Sequence, residues 1–362
     1  MPSFVKKTRL AKNESVLYNE LCNRLQIKER SIVSKITIQE IAILAGVNKA
    51  TVSRVINGNR NISEKTRKKV EDIMKQYNYV PNSIARGLAT KKTLTVGFCF
   101  DYTNKQAYAN PYFYKVLQGI EEVVYNHDHM FLMMSDHDGK NGRSTFERVV
   151  VERRVDGVII PNTLLNERNY ELLIKHNMPF VVTGENTLKQ VDAPWVDIDN
   201  VQAGRILTEH LIDLGCRNIM IYAGGATAQR DKFLSDRLNG YHEAMRQHHL
   251  EPQVIEHADV LKRLYDSPRS GLETQRPDAL ICCTHEQLFE ILDWENGNPL
   301  LAELALATFD SFPMSKYLKY PVHFVEIDLE MMGKQAAQML FSRMNKEEGV
   351  PSFISIPTQI GK

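Results

Sequence analysis

Apolar positions follow two different rhythms along the chain. Between residues 35 and 80 they recur in short bursts at helical spacing. Thr37-Ile-Gln-Glu40 reads as a capping box, after which Ile41, Ala42, Leu44 and Ala45 supply one helical face. Gly46 can take the left-handed conformation that ends such a helix tightly. Asn48 is placed to cap a second helix, Lys49–Ile56, with Val52, Val55 and Ile56 facing inward. Ser63 caps a third, Glu64–Tyr77, whose inner stripe is Val70, Ile73, Met74 and Tyr77. A short helix, a glycine turn and a second short helix form the arrangement used to read DNA.

From residue 93 onward the rhythm changes. Short apolar, often β-branched runs cover 93–100, 130–135, 157–161, 180–183, 195–198, 218–223, 279–283 and 304–308. Helical patterns alternate with them, at 112–127, 142–154, 167–176, 201–214, 233–249, 287–294 and 330–343. Such alternation predicts parallel sheets with helices on both faces, and the number of strands favours two doubly wound lobes over one sheet. The expected fold class is therefore multidomain α + α/β, a three-helix headpiece followed by a two-lobed α/β body. Ligands of such sheets bind beyond the carboxyl ends of the strands. That rule selects Asp101 and Asn110-Pro-Tyr112-Phe113, then Asn162 with Thr163, Glu185 with Asn186, Asp236-Arg237, Thr284-His285 and Asp310. Carboxylates, an arginine and aromatic rings suit the hydroxyls and the C–H face of a sugar.

Charge sharpens the division. The chain carries a net +1, but residues 1–95 hold 19 of its 45 basic and only 7 of its 44 acidic residues. The remainder then holds 26 and 37, an acidic body behind a basic head, and a polyanion is the partner expected of the head alone. With 362 residues, 43% of them hydrophobic, the chain can fill two or three globular cores. No apolar run approaches the roughly 20 residues that span a bilayer, and the basic start lacks an apolar leader segment, so no membrane partner and a cytoplasmic location are expected. Five cysteines without C-x-x-C spacing indicate neither a disulfide framework nor a zinc ribbon, and Cys282 and Cys283 fall in an apolar run as buried thiols. His127-Asp-His129 and His137 bracket a strand and are read as polar flanks, with no metal or other cofactor expected. No G-x-S-x-G, Walker A, H-E-x-x-H or G-x-G-x-x-G occurs, so an enzyme is not expected.

The strings AGV-x-x-x-TVSRV-x-N-G and Y-x-PN-x-x-AR-x-L, both within residues 37–89, closely resemble the headpiece of the lactose-repressor/galactose-repressor family. The resemblance extends over about nine-tenths of the chain. It implies a helix-turn-helix domain over 35–80, a hinge over 81–92 and a periplasmic-binding-protein-like sensor and dimerisation domain over 93–362. It places Lys49, Ala50 and Arg54 at base-reading positions, and Arg54 has the fork geometry for guanine O6 and N7. Thr37, Asn48, Thr51, Ser53 and Asn57 then stand at phosphate-contacting positions. In the hinge, Leu88 matches the family's minor-groove wedge, with Asn82 and Ala85 beside it. Arg237 matches the ligand-clamping arginine and Asp310 the acidic group of the last cleft strand. Asp197, Asp199, Asn200 and Gly204 match a turn taken mainly as structural.

The resemblance implies a homodimer that binds a palindromic operator in double-stranded DNA as a repressor of carbohydrate-utilisation genes, induced by a small ligand. Where the family usually carries Asn-Asp or Ser-Asp, this chain has Thr284-His285. Together with the SDRLNGY stretch, this points to members sensing sucrose, fructose or their phosphates. A purine or partner-protein corepressor is the alternative within the same fold. Residues 1–34 lie outside the resemblance and are read as an extension ahead of a start at Val33.

Overall fold

The computed structural model describes residues 36–56, 58–59, 61–80, 92–101, 111–137, 142–189, 191–224, 231–261, 276–293, 304–312 and 315–361, with the side chains of 111 and 112 left aside. The chain separates into two compact units, Met1–Lys91 and Lys92–Lys362. Residues 1–34 and the hinge positions Asn82, Ala85 and Leu88 lie outside the described residues, as do Asn57 and Asn110.

In the first unit, helices α1 (Ile38–Ala45), α2 (Lys49–Ile56) and α3 (Glu64–Gln76) enclose a core of Ile41, Ala42, Ala45, Val52, Val55 and Val70. The capping box forms in both directions: Thr37 Oγ1 accepts from the Glu40 amide, and Glu40 Oε2 accepts from the Thr37 amide at 2.7 Å. Gly46 closes α1 at φ 64°, which a residue with a Cβ adopts only at a cost. Asn48 Oδ1 caps α2 by accepting from the Thr51 amide at 2.7 Å, and Ser63 caps α3.

The second unit contains two six-stranded sheets. The first has the order β11-β5-β4-β3-β1-β2, using β1 (Thr95–Cys99), β2 (Met130–Met134), β3 (Gly157–Pro161), β4 (Phe180–Thr183), β5 (Trp195–Ile198) and β11 (Phe353–Ile356). The second has the order β12-β10-β9-β8-β6-β7, using β6 (Ile219–Tyr222), β7 (Gln253–Ile255), β8 (Ala279–Cys282), β9 (Ala305–Phe309), β10 (Val322–Glu326) and β12 (Gln359–Ile360). Every pairing is parallel except β10 with β12. The central strands are buried along almost their whole length, with only Pro161 at the end of β3 half-buried, as strands covered on both faces must be.

Helices α4 (Pro111–Asn126), α5 (Thr145–Val151), α6 (Glu167–Lys175) and α10 (Leu329–Met344) cover the first sheet. Helices α7 (Asn200–Asp213), α8 (Lys232–Gln247) and α9 (His285–Asp293) cover the second. The chain passes between the lobes three times, from β5 to α7, from β10 to α10, and from β11 to β12. Each passage is only one to two residues long: Asp199, Ile327-Asp328 and Pro357-Thr358.

All eight anticipated strands are present, and four more occur among the described residues. β7, β11 and β12 lie at or beside sheet edges and are too short or too exposed to show a periodic pattern. β10 has the mixed sequence VHFVE and is fully buried only at Val325.

Within each lobe one helix pair meets backbone to backbone. In the second, a Cβ on Gly204 of α7 would collide with the Arg237 carbonyl of α8, and one on Gly240 with the Val201 carbonyl. Gly204→Ala is therefore expected to destabilise the folded chain by about 1–3 kcal/mol, read as a shift of the denaturation midpoint. An unchanged midpoint would mean the two helices can part freely.

Candidate functional site

Two surfaces carry functional potential, one in each unit. On the headpiece, α2 buries Val52 and Val55 and turns Lys49, Ala50 and Arg54 outward, all three exposed, with Ser53 half-buried. Three of the expected phosphate-contacting residues already have local partners. The Thr51 hydroxyl donates to Asn48 Oδ1 at 2.9 Å, and the Thr37 hydroxyl donates to Glu40 Oε2 at 2.8 Å. Arg67 fixes the turn after α2 by donating from Nη2 to the Asn59 carbonyl at 2.8 Å. The result is a rigid helix presenting two cations and no acidic side chain.

In the second unit the carboxyl ends of both sheets face a cavity of about 240 Å³. Asn162, Thr163, Gly184 and Asp197 line it from the first lobe, and Phe233, Arg237, Thr284, His285, Phe309 and Asp310 from the second. Arg237 is the most constrained side chain there. Its Nε donates to Asn200 Oδ1 at 3.1 Å and its Nη1 to the Cys283 carbonyl at 2.6 Å. The guanidinium also sits over the Phe309 ring at 4.2 Å and the Phe233 ring at 5.0 Å. A flexible arginine is thereby fixed in one geometry by the protein's own groups. Asn200 belongs to the same motif as Gly204, so the segment expected to be mainly structural also positions the arginine.

Asp197 is buried, and its two oxygens accept the amides of Glu185 at 2.9 Å and Ile198 at 2.7 Å. Burial pushes its carboxyl up to about 6, against the pull of those amides and of Arg237. Asp310 follows β9 in a left-handed backbone conformation, φ 63°, unusual for a residue other than glycine. The His285 Nε2–H donates to its carbonyl at 3.0 Å. Burial raises this carboxyl too, while Lys115 opposes the shift. Lys115 Nζ reaches across from α4 to Asp310 Oδ1 at 3.0 Å. A second bridge joins Lys232 Nζ, at the start of α8, to Glu185 Oε2 of the first lobe at 2.9 Å. Lys232 also holds Asp236 within its own helix at 2.6 Å.

Of the residues anticipated at the cleft, Asn162, Arg237, Thr284 and Asp310 converge on the cavity. Glu185 stands beside it in the ion pair with Lys232. Phe113 does not line it. Its ring is buried against Phe100 at 4.2 Å, because the strand-end rule places a residue near the cleft without saying which way its side chain turns. Asp101 lies apart from the cavity, 3.8 Å from the His137 ring. Asn110 and the Tyr112 side chain fall outside the described residues. Sequence reasoning missed Lys115, Lys232, Phe233 and Phe309. Lys115 lies in mid-helix and Lys232 at a helix start, so neither follows a strand directly.

The raised Asp197 carboxyl has a defined thermodynamic sign. Its folded value of about 6 lies above the roughly 3.9 of an unfolded aspartate, so the folded state holds the proton more tightly. The contribution of Asp197 to stability is therefore greatest below about pH 4 and declines as pH rises to about 6. In Asp197→Asn that decline should vanish from the pH dependence of unfolding; a profile identical to that of the unaltered chain would refute the shift.

The description "Bacterial regulatory proteins, lacI family" matches residues 37–82, and "Periplasmic binding protein-like domain" matches residues 208–361. Catabolite control protein A of Staphylococcus xylosus is 29% identical over 331 residues, covering 90% of this chain and 97% of that protein. Among solved structures, the lac repressor dimer bound to operator and the anti-inducer ONPF superposes with a TM-score of 0.66 at 21% identity, covering 91% of this chain and 98% of that one. The transcriptional regulator CelR–cellobiose complex superposes with a TM-score of 0.60 at 24% identity, covering 91% and 99%. At these identities the structural likeness is one of fold. The matched headpiece, the matched sensor fold and a relative aligned along nine-tenths of the chain agree: this protein carries a lacI-type helix-turn-helix headpiece ahead of a periplasmic-binding-protein-like domain, and along its length it is similar to DNA-binding transcription regulators of the LacI family.

Proposed function

We propose that the chain is a homodimeric repressor of carbohydrate-utilisation genes, released from a palindromic operator by a monosaccharide-sized ligand in the inter-lobe cleft. The observation that carries this reading is Arg237, held rigid by Asn200, the Cys283 carbonyl and two rings at the wall of a cavity that also receives Asn162 and Asp310. A fixed guanidinium, amide and carboxylate groups and the Phe233 and Phe309 rings supply the donors, acceptors and apolar faces that a sugar requires. At about 240 Å³ the cavity is smaller than the roughly 300–1,000 Å³ of sites for larger ligands. Fructose and its phosphates fit this size better than sucrose. The nearby lysines are already neutralised by carboxylates, which favours the uncharged sugar.

On the DNA side, Lys49, Ala50 and Arg54 read base edges. Thr37, Asn48, Thr51, Ser53 and Asn57 contact phosphates, and Asn82, Ala85 and Leu88 enter the minor groove. Exposed Tyr125 and Met130, where α4 leads into the edge strand β2, support the meeting of two copies.

Selection of bound duplexes from a random pool should yield a palindrome. Arg54→Ala should weaken binding to it by about 1–3 kcal/mol and relax the preference at one guanine in each half-site. A uniform loss across all sequences would reduce Arg54 to a phosphate contact. Arg237→Ala should leave operator affinity intact and abolish both the thermal shift and the release of DNA produced by the active monosaccharide. If sucrose or another disaccharide stabilises the protein and monosaccharides do not, the size argument fails.

A further inference from the structure

We infer that Lys115 and Lys232 are positioning residues that latch the cleft closed in the ligand-free protein, an inference resting on the reading of that cleft as the ligand site. Each lysine spans the lobes. Lys115 on α4 of the first lobe binds Asp310 of the second at 3.0 and 3.3 Å, and Lys232 on α8 of the second binds Glu185 of the first at 2.9 Å. Lys115, Lys232 and Glu185 lie outside the lining of the 240 Å³ cavity and Asp310 alone of the four belongs to it, so both lysines act on the walls and not on the ligand.

The Lys115 pair is more than a surface contact. The Asp310 side chain is only 9% exposed, its backbone is held left-handed, and His285 fixes its carbonyl at 3.0 Å. A preset carboxylate loses little freedom on pairing, whereas two mobile surface side chains lose most of what they gain. Lys232 is likewise oriented by Asp236 at 2.6 Å, one helical turn along α8. Opening the lobes breaks both pairs and leaves the buried Asp310 carboxylate without its cation, while closure needs no ligand charge. The ligand thus enters an equilibrium already biased toward closure, and its apparent affinity includes that bias.

The test uses the full chain without ligand. Spin labels at Glu171→Cys on α6 and Glu243→Cys on α8, both exposed positions, would be placed in a Cys22→Ser, Cys216→Ser background. Labelled chain is diluted into excess unlabelled chain, and dipolar spectroscopy reads the distance between lobes. The protein carrying both lysines should show mainly one short distance. Lys115→Met with Lys232→Met should add a longer one, lowering the closed-to-open ratio by roughly 1.5–5-fold for each pair removed. Raising the salt concentration should shift the parent protein the same way, and Lys115→Arg with Lys232→Arg should keep the short distance. An unchanged distance in the methionine variant and at high salt would overturn the latch. Because no ligand enters, a failure of every monosaccharide to bind would count against the cleft reading and leave this result standing.

Discussion

Close approach of α7 and α8 at Gly204 and Gly240 is the constraint on which the cleft depends. With the two backbones in contact, Asn200 at the first turn of α7 can reach Arg237 on α8, and the guanidinium can lie between Phe233 and Phe309. A larger residue at either glycine would push the helices apart and move the arginine with them. The first lobe repeats the device, since Gly119 of α4 and Gly333 of α10 also meet backbone to backbone. Each lobe thus holds one helix pair at backbone contact, and the chain crosses between the lobes at three short passages.

Electrostatics divides the molecule by task. The headpiece offers exposed cations that stay fully solvated until a polyanion arrives, which suits fast and salt-sensitive association. The body buries a few carboxylates and pairs them. Asp197 and Asp310 both bind protons more readily than ordinary carboxylates because burial disfavours their charge. That cost is tolerable because backbone amides receive one and a lysine the other.

Much of this was legible in the sequence, for reasons that differ by region. The headpiece helices are local objects, with their caps, glycine and inner stripes within a few residues of one another, and they occur almost where the pattern puts them. The buried strands announce themselves as apolar runs. Edge strands do not: β11 contacts a neighbour on one side only, and Phe353 and Ser355 remain exposed. At the cleft, the strand-end rule found Asn162, Thr284 and Asp310, and the resemblance to the family singled out Arg237, which lies inside α8. The rule could not find Lys115, which lies 195 residues from Asp310 and meets it only through tertiary structure. It also misdirected Phe113, whose ring fills the space beside Phe100.

The threading of the chain through both lobes bears on how this protein can be dissected genetically. The first lobe is completed only by α10 and β11, whose residues come after nearly all of the second lobe has been made. A nonsense or frameshift mutation just past residue 328 would therefore spare every helix and all but the last strand of the second lobe. It would strip a helix and an edge strand from the first, whose own continuous segment ended 130 residues earlier, at Ile198. Neither lobe can be expressed from one uninterrupted stretch of gene, and a late lesion will injure the lobe that was translated first.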